Sequence, residues 1–453
     1  MSAGSAVSAV PALGPDRKLV LPKAVERKLT NGLTVIAIRR ASVPLVELRL
    51  RVPLSTVRLS EPFVAKTTLL SQTLFSGTPK MSIMDIAAEL QTVGGALHAG
   101  ADPDRLLVSG NALASGLDRI LAILAEVLTE ASYPGEEVDT ERERLVDRIQ
   151  VARTQPAHLA RVALLKRVYG THPYALQTPA PKQLRTVNSR ALRTLHGERL
   201  HPAGATLVIV GDVPPNKVLD AAEAALSTWD GGGKDVKLPA TPPLKPGPIG
   251  LVDRPDSIQS SLRIALPAVP RTHPDHAALQ LANLVFGGYF SSRWVGNIRE
   301  DKGYTYGPHS YVEHSAAGSL LVATAEVATE VTAPALLETR YELGRMATTP
   351  PRESELEHAR QYALGTLQLG MATQSGLAGL ASTYAGFGLR LDYLVQHAAR
   401  LAAVTRDDLA DAAAKYLAPA EAVTVVLGDA KQVESSLASL MPVEHVTLPA
   451  DES

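Results

Sequence analysis

The chain has 453 residues, with 45 lysines and arginines against 46 acidic residues and no cysteine. That length suits two domains of about 200 residues each, and the near-zero charge gives no electrostatic reason to expect nucleic acid or an anionic membrane surface as partner. The missing cysteine excludes disulfides, thiolate metal sites and a cysteine nucleophile, so any metal would need histidine and carboxylate ligands.

Residues 1–20 are rich in Ala, Ser, Gly and Val without a basic start ahead of a sustained apolar run; they read as a flexible tail rather than a secretory signal. No stretch is apolar for long enough to span a membrane, and the expected location is the cytoplasm. Leu33 to Arg40 reads as a strand, and Leu45 to Val52 alternates apolar and polar residues as a half-buried strand does. Phe63 to Phe75 has helical spacing and stops at Ser76-Gly77-Thr78-Pro79. A short helix from Ser82 to Val93, a Gly94-Gly95 break and strands at Ala96 to Gly100 and Arg105 to Ser109 follow. Leu117, Ile120, Leu121, Leu124, Val127 and Leu128 mark an amphipathic helix, and Pro134 opens a long charged one running past Ile149. Helices and strands in alternating blocks predict an α+β chain rather than a doubly wound parallel sheet.

An internal repeat organises the rest. Val187, Leu192, Leu200, Pro202, Val208, Gly211 and Asp212 recur at identical spacing as Val404, Leu409, Leu417, Pro419, Val425, Gly428 and Asp429, so each half ends in the same helix, proline turn, strand and Gly-Asp unit. More loosely, Leu74-Phe75-Ser76-Gly77 corresponds to Val285-Phe286-Gly287-Gly288. Between the halves lies a stretch rich in Gly, Pro and Lys. The expected domains are 21–230 and 247–453, joined by a linker over 231–246.

Further short runs carry a resemblance. Leu74-Phe75-Ser76-Gly77-Thr78, Gly94-Gly95-Ala96-Leu97, His172-Pro173-Tyr174 and Gly211-Asp212 stand in the first half. In the second, Phe286-Gly287-Gly288 leads into Tyr289-Phe290-Ser291-Ser292-Arg293, and Asn297-Ile298-Arg299-Glu300-Asp301-Lys302-Gly303-Tyr304-Thr305-Tyr306 follows. From about Lys23 to Asp429 the chain resembles the pitrilysin and mitochondrial processing peptidase family of zinc peptidases. The resemblance implies two homologous α/β domains, each an antiparallel-rich sheet flanked by helices, forming half of a clam-shell peptidase chamber.

That family's metal motif is His-x-x-Glu-His: two imidazoles on one helix face, with a carboxylate before the second to take a proton from zinc-bound water. By the resemblance those places hold Thr68, Ser71 and Gln72. The third ligand is a glutamate seven residues beyond an accessory glutamate. Aligning on Glu143-Arg144-Leu145-Val146 puts Gln150 at the ligand place, and a register two residues earlier puts Arg148 there with Glu141 as accessory. Neither register restores a carboxylate, so no metal and no other cofactor is expected in this chain. His273 and His276 flank Pro274 and read as loop surface, and His309 and His314 fit no helical ligand pair.

Arg299 and Tyr306 resemble the family's second-domain pair, which reaches the peptide held at a zinc site. A phenol can donate to a scissile carbonyl as it becomes an oxyanion, and a guanidinium can grip a peptide carbonyl or carboxylate with forked geometry. The competing reading makes Arg299 a partner of a surface carboxylate and Tyr306 a half-buried strand residue. The resemblance implies the non-zinc subunit of a heterodimeric metalloendopeptidase, acting on peptides beside a homologous, zinc-bearing His-x-x-Glu-His partner, without nucleic acid or membrane. The alternative is a non-enzymatic structural or peptide-binding homologue.

Overall fold

The computed structural model describes residues 20–231, 236 and 238–448. The expected tail, apart from Val20, and part of the linker lie outside the described residues. Two six-stranded sheets, each with helices, form the two halves.

The first half contains β1 (Ala24–Lys28), β2 (Thr34–Arg39), β3 (Leu45–Pro53), β4 (Ala96–Ala101), β5 (Arg105–Leu113) and β6 (Thr206–Gly211). Its helices are α1 (Glu61–Thr73), α2 (Ile83–Thr92), α3 (Leu117–Glu130), α4 (Gly135–Thr154), α5 (Pro156–Tyr169), α6 (Pro181–Arg185), α7 (Ser189–Arg199) and α8 (Pro215–Leu226). The starts follow from capping: the Ser60 hydroxyl accepts from the Phe63 amide at α1, and Ser82 and Asp85 form a reciprocal box at α2. The second half contains β7 (Ile249–Asp253), β8 (Gln259–Pro267), β9 (His309–Ser315), β10 (Gly318–Ala328), β11 (Val423–Gly428) and β12 (Val443–His445). Its helices are α9 (His276–Asn283), α10 (Arg293–Val295), α11 (Thr332–Thr348), α12 (Glu353–Gly370), α13 (Gln374–Ala385), α14 (Tyr393–Ala403), α15 (Arg406–Tyr416) and α16 (Ala430–Ala438). Among the described residues, no helix is long and apolar enough to cross a membrane.

The sequence repeat is a repeat of topology. The sheets run β1-β2-β6-β3-β5-β4 and β12-β7-β11-β8-β10-β9. In both, the repeated strand (β6 or β11) pairs in parallel with one neighbour and antiparallel with the other. Only the outermost strand beside β2 or β7 differs, coming from the start of the chain in one half and from its end in the other. The repeated glycine has a steric cause, because a Cβ on Gly211 would sit 2.4 Å from the Leu45 carbonyl oxygen and one on Gly428 2.4 Å from the Ser260 hydroxyl.

Packing crosses between the halves. Leu164, Leu165 and Val168 of α5 are buried with Ala265, Val423 and Val425 of the second sheet. Leu377, Ala378 and Ala381 of α13 are buried with Ile38, Val208 and Val210 of the first. Each half thus lends a helix to the other's sheet. Two arginines at matching register sit at the crossings: Arg49 on β3 donates to the Ser375 hydroxyl at the start of α13, and Arg263 on β8 donates to the Ala157 carbonyl at the start of α5. Burying each large aliphatic side chain contributes about 1.5–3 kcal/mol, so the halves are joined by core as well as by chain.

Candidate functional site

Thr68, Ser71 and Gln72 lie on α1, one face of which packs into the first core through Leu69 and Leu70. The Thr68 hydroxyl donates back to the Val64 carbonyl at 2.7 Å and the Ser71 hydroxyl to the Thr68 carbonyl at 2.8 Å. Both are engaged by their own helix. Gln72 points outward, and its Oε1 accepts from Arg148 Nη2 at 3.4 Å. The same nitrogen donates to Glu141 Oε1 at 2.5 Å, and Arg144 adds a looser ion pair to that carboxylate at 3.7 Å.

The two candidate residues on α4 differ in what they face. Gln150 is exposed and, among the described residues, has no hydrogen bond to Thr68 or Gln72, whereas Arg148 faces Gln72 two helical turns beyond Glu141. Arg148 is a permanent cation that cannot ligate a metal. Among the described residues no group of three or more His, Cys, Asp or Glu side chains could hold a metal ion. The cavity beside Thr68 measures only about 20 Å³. A hydroxyl, an amide and a guanidinium do not fit the zinc that the fold implies.

Arg299 and Tyr306 are brought together. Arg299 lies on a π-turn, Gly296–Asp301, anchored in the second core by Ile298. Gly303, with φ +67°, turns the chain back, and the Thr305 hydroxyl ties it to the Glu326 carbonyl at 2.6 Å. The Arg299 guanidinium lies 4.8 Å from the Tyr306 ring centroid and 4.5 Å from that of Phe290, a double cation–π contact. Its Nε pairs with Glu300 at 3.1 Å. Tyr306 is 85% exposed and precedes β9, so it is not a half-buried strand residue, although Arg299 does have a surface carboxylate partner. Phe290, 58% exposed, is the member that sequence reasoning did not single out, although it stands within the quoted run before Arg293. Gly287 is required behind this face, since a Cβ there would meet the Trp294 ring at 2.7 Å, where Trp294 stacks on Phe286. Among the described residues, no hydrogen bond, ion pair or ring contact joins Arg299 or Tyr306 to Thr68, Gln72 or Arg148.

One other reading changes. His276 is not loop surface but a buried residue at the start of α9, with ring centroids 5.2 Å from His314 and 4.8 Å from His397. His172-Pro173-Tyr174 is a joint: His172 Nε2 donates to the Pro239 carbonyl at 3.0 Å, and the Tyr174 hydroxyl donates to Asp104 at 2.5 Å. Across the halves, the Ala316 and Ala317 amides donate to Asp104 and to the Tyr174 oxygen.

Comparison with known proteins accounts for this arrangement. The model described as insulinase (peptidase family M16) matches residues 67–182, and the one described as peptidase M16 inactive domain matches 186–362. The fold is that of peptidase family M16. An uncharacterized zinc protease of Streptomyces coelicolor is 26% identical over 386 residues, 82% of each chain. The uncharacterized zinc protease YmxG of Bacillus subtilis is 23% identical over 308 residues, 67% of this chain and 73% of that one. Among solved structures, a peptidase M16 inactive domain from Pseudomonas fluorescens superposes with TM-score 0.82 at 22% identity, covering 89% of this chain and 98% of that one. A Helicobacter pylori protease superposes with TM-score 0.83 at 18% identity, covering 90% and 100%. The chain is thus an M16 homologue whose own residues supply no metal-binding cluster among those described.

Proposed function

We propose that this chain is a non-hydrolytic M16 homologue that binds peptides without cleaving them. The observation that carries this reading is the guanidinium of Arg148, which faces Gln72 from α4 and is engaged by Glu141 and Gln72. Without a metal to lower the pKa of water, and with Ser71 where a general base would be needed, the first half lacks the hydrolytic step. What it retains suits binding: β4 is a free sheet edge, able to take an extended peptide as an added strand. Metal analysis of the purified chain, with a cleavage assay on an unstructured peptide, tests this. Zinc near stoichiometry or turnover by the chain alone overturns the reading.

A second reading follows from the exposed Arg299–Tyr306 stack. Here the chain is the accessory subunit of a heterodimeric metalloendopeptidase, lending Arg299 and Tyr306 to the zinc site of a His-x-x-Glu-His partner in the cytoplasm. The phenol would donate to the developing oxyanion and the guanidinium would grip the peptide. Mixing with such a paralogue should restore cleavage, and Tyr306→Phe should cut turnover about 10²-fold while leaving assembly intact. Equal cleavage with both residues replaced excludes this second reading and leaves the first.

A further inference from the structure

Where α4 gives way to α5, a cavity of about 230 Å³ lies beside the start of α1. His158, Val162 and Leu165 of α5 line it at helical spacing, so one helix face carries an imidazole at its start and apolar side chains beyond. Leu165, only 2% exposed, is its deepest apolar wall, and Leu159, Leu176 and Leu448 add to the same surface.

The charges around this cavity are unequal. Arg153, from the end of α4, and Arg161 line it against a single carboxylate, Glu61 at the start of α1. Arg161 is held in place, its Nη1 2.8 Å from Glu313 and its Nη2 donating to Gln177 at 3.2 Å. The His158 ring is half-buried and makes no hydrogen bond or ion pair among the described residues, and neither ring nitrogen is sealed from solvent. Burial, then Arg153 and Arg161, pushes the ring below the ordinary histidine value, and no carboxylate pulls it back. Polar groups taken from bulk water are normally given a partner. What this imidazole lacks is an anion, in a positive field over an apolar wall.

We propose that the cavity binds an aliphatic carboxylate, as a free short-chain acid or as the glutamate side chain of a peptide. The carboxylate accepts from the His158 ring in the field of the two arginines, and its methylene chain lies along Val162, Leu165 and Leu176. The imidazole takes up a proton as the anion arrives, since an adjacent negative charge favours its charged form. Arg153 and Arg161 are the charged groups that act on the ring, while Glu61 acts on Arg153 and Glu313 on Arg161. The cavity shares Leu176 and Gln177 with the smaller one beside Thr68 and Ala101, the last residue of β4, so a peptide paired to β4 has one end close to it. That link alone rests on the proposed function; the binding itself does not.

The test is calorimetry on the full chain with three probes: hexanoate, Nα-acetyl-glutamate amide and the uncharged 1-hexanol. The two carboxylates should bind, whichever is tighter naming the source, and the alcohol should bind at least about tenfold more weakly. Hexanoate should bind about threefold to tenfold more tightly at pH 6 than at pH 8, with proton uptake read from two buffers of different ionisation heat. His158→Gln should abolish both the uptake and the pH dependence, with unchanged thermal unfolding as the control on folding. Binding of neither carboxylate at millimolar concentration, equal binding of hexanol, no proton uptake by the unaltered chain, or pH dependence that persists in His158→Gln overturns the proposal. Each measurement is made without a metal or a peptidase partner, so the result is separate from the fate of the proposed function.

Discussion

Acidification should weaken the second half most, through the three histidines gathered from α9, β9 and α14. Burial, then the neighbouring histidines and Arg271 and Arg400, push His276 down to about 2. Burial, Arg271 and His397 push His314 down to about 3, and burial with Arg400 and Arg271 pushes His397 down to about 4. The other groups around them are neutral: Tyr393 stacks on His397, Gln280 bonds to it, and Ser319 bonds to His314. The folded state therefore keeps all three rings uncharged well below the ordinary histidine range, while the unfolded chain takes up protons as pH falls through about 6.5. The unfolded state binds more protons, so stability falls with falling pH, from about 6.5 down to the folded values. At pH 5 each histidine costs about 2 kcal/mol relative to neutral pH, and the three together up to about 6 kcal/mol, against a total stability of about 5–15 kcal/mol. With two tryptophans in the chain, Trp229→Phe leaves Trp294 as reporter of the second half, and urea unfolding at pH 7.5, 6 and 5 reads the loss. His397→Gln should reduce the difference between pH 7.5 and pH 5 by about 2 kcal/mol whatever it does at neutral pH. An unchanged pH slope in that variant would refute the reasoning.

Three further outcomes follow from the packing and the site. Thr68→His, Ser71→Glu, Gln72→His and Arg148→Glu together should give a folded chain that takes up stoichiometric zinc by elemental analysis, while the same set lacking Arg148→Glu should bind it at least about tenfold more weakly. Leu164→Ala, at the crossing of α5 onto the second sheet, should destabilise by about 2–5 kcal/mol in denaturant unfolding; a loss below 1 kcal/mol would mean the crossing helix is not part of that core. Tyr174→Phe removes the donor to Asp104 and the acceptor of the Ala317 amide, which should cost about 1–3 kcal/mol and raise amide exchange at Ala316 and Ala317, measured by hydrogen exchange.

The strands and helices of the first half were legible because apolar periodicity and capping residues act locally: α1, α2 and β3 begin and end within a few residues of where the pattern places them. The repeat was legible for a steric reason, the glycine that lets a neighbouring strand pass. Which flank of α4 faces α1 was not. Its buried stripe is Val138, Leu145, Val146 and Ile149, and the pairs Glu141/Arg148 and Glu143/Gln150 each lie about 100° to one side of it. The pattern fixes the stripe but not which flank faces α1; tertiary packing decides that. The histidine cluster escaped for a similar reason, since its members come from three elements far apart in sequence. The crossing of α5 and α13 was equally hidden, because apolar residues such as Leu164 and Leu377 mark a buried face without saying against which sheet.

The metal motif is dispensable to this fold, and the energetics of α1 and α4 explain why. Arg148 and Glu141 have side chains 56% and 20% exposed, and an ion pair that wet contributes at most about 1 kcal/mol. The two helices are held instead by Leu69, Leu70, Leu145 and Ile149, all in the first core. In a structural zinc site the ligands are themselves the staple, and losing them unfolds the domain. Here Gln72 and Arg148 stand on the solvent side of helices already fixed by their apolar faces, while the hydroxyls of Thr68 and the buried Ser71 bond back to their own helix. Thr, Ser, Gln and Arg can therefore occupy these positions without disturbing the sheet edge at β4 or the turn carrying Arg299. A chain built this way can lack the metal motif while keeping both sheets and the turn that carries Arg299.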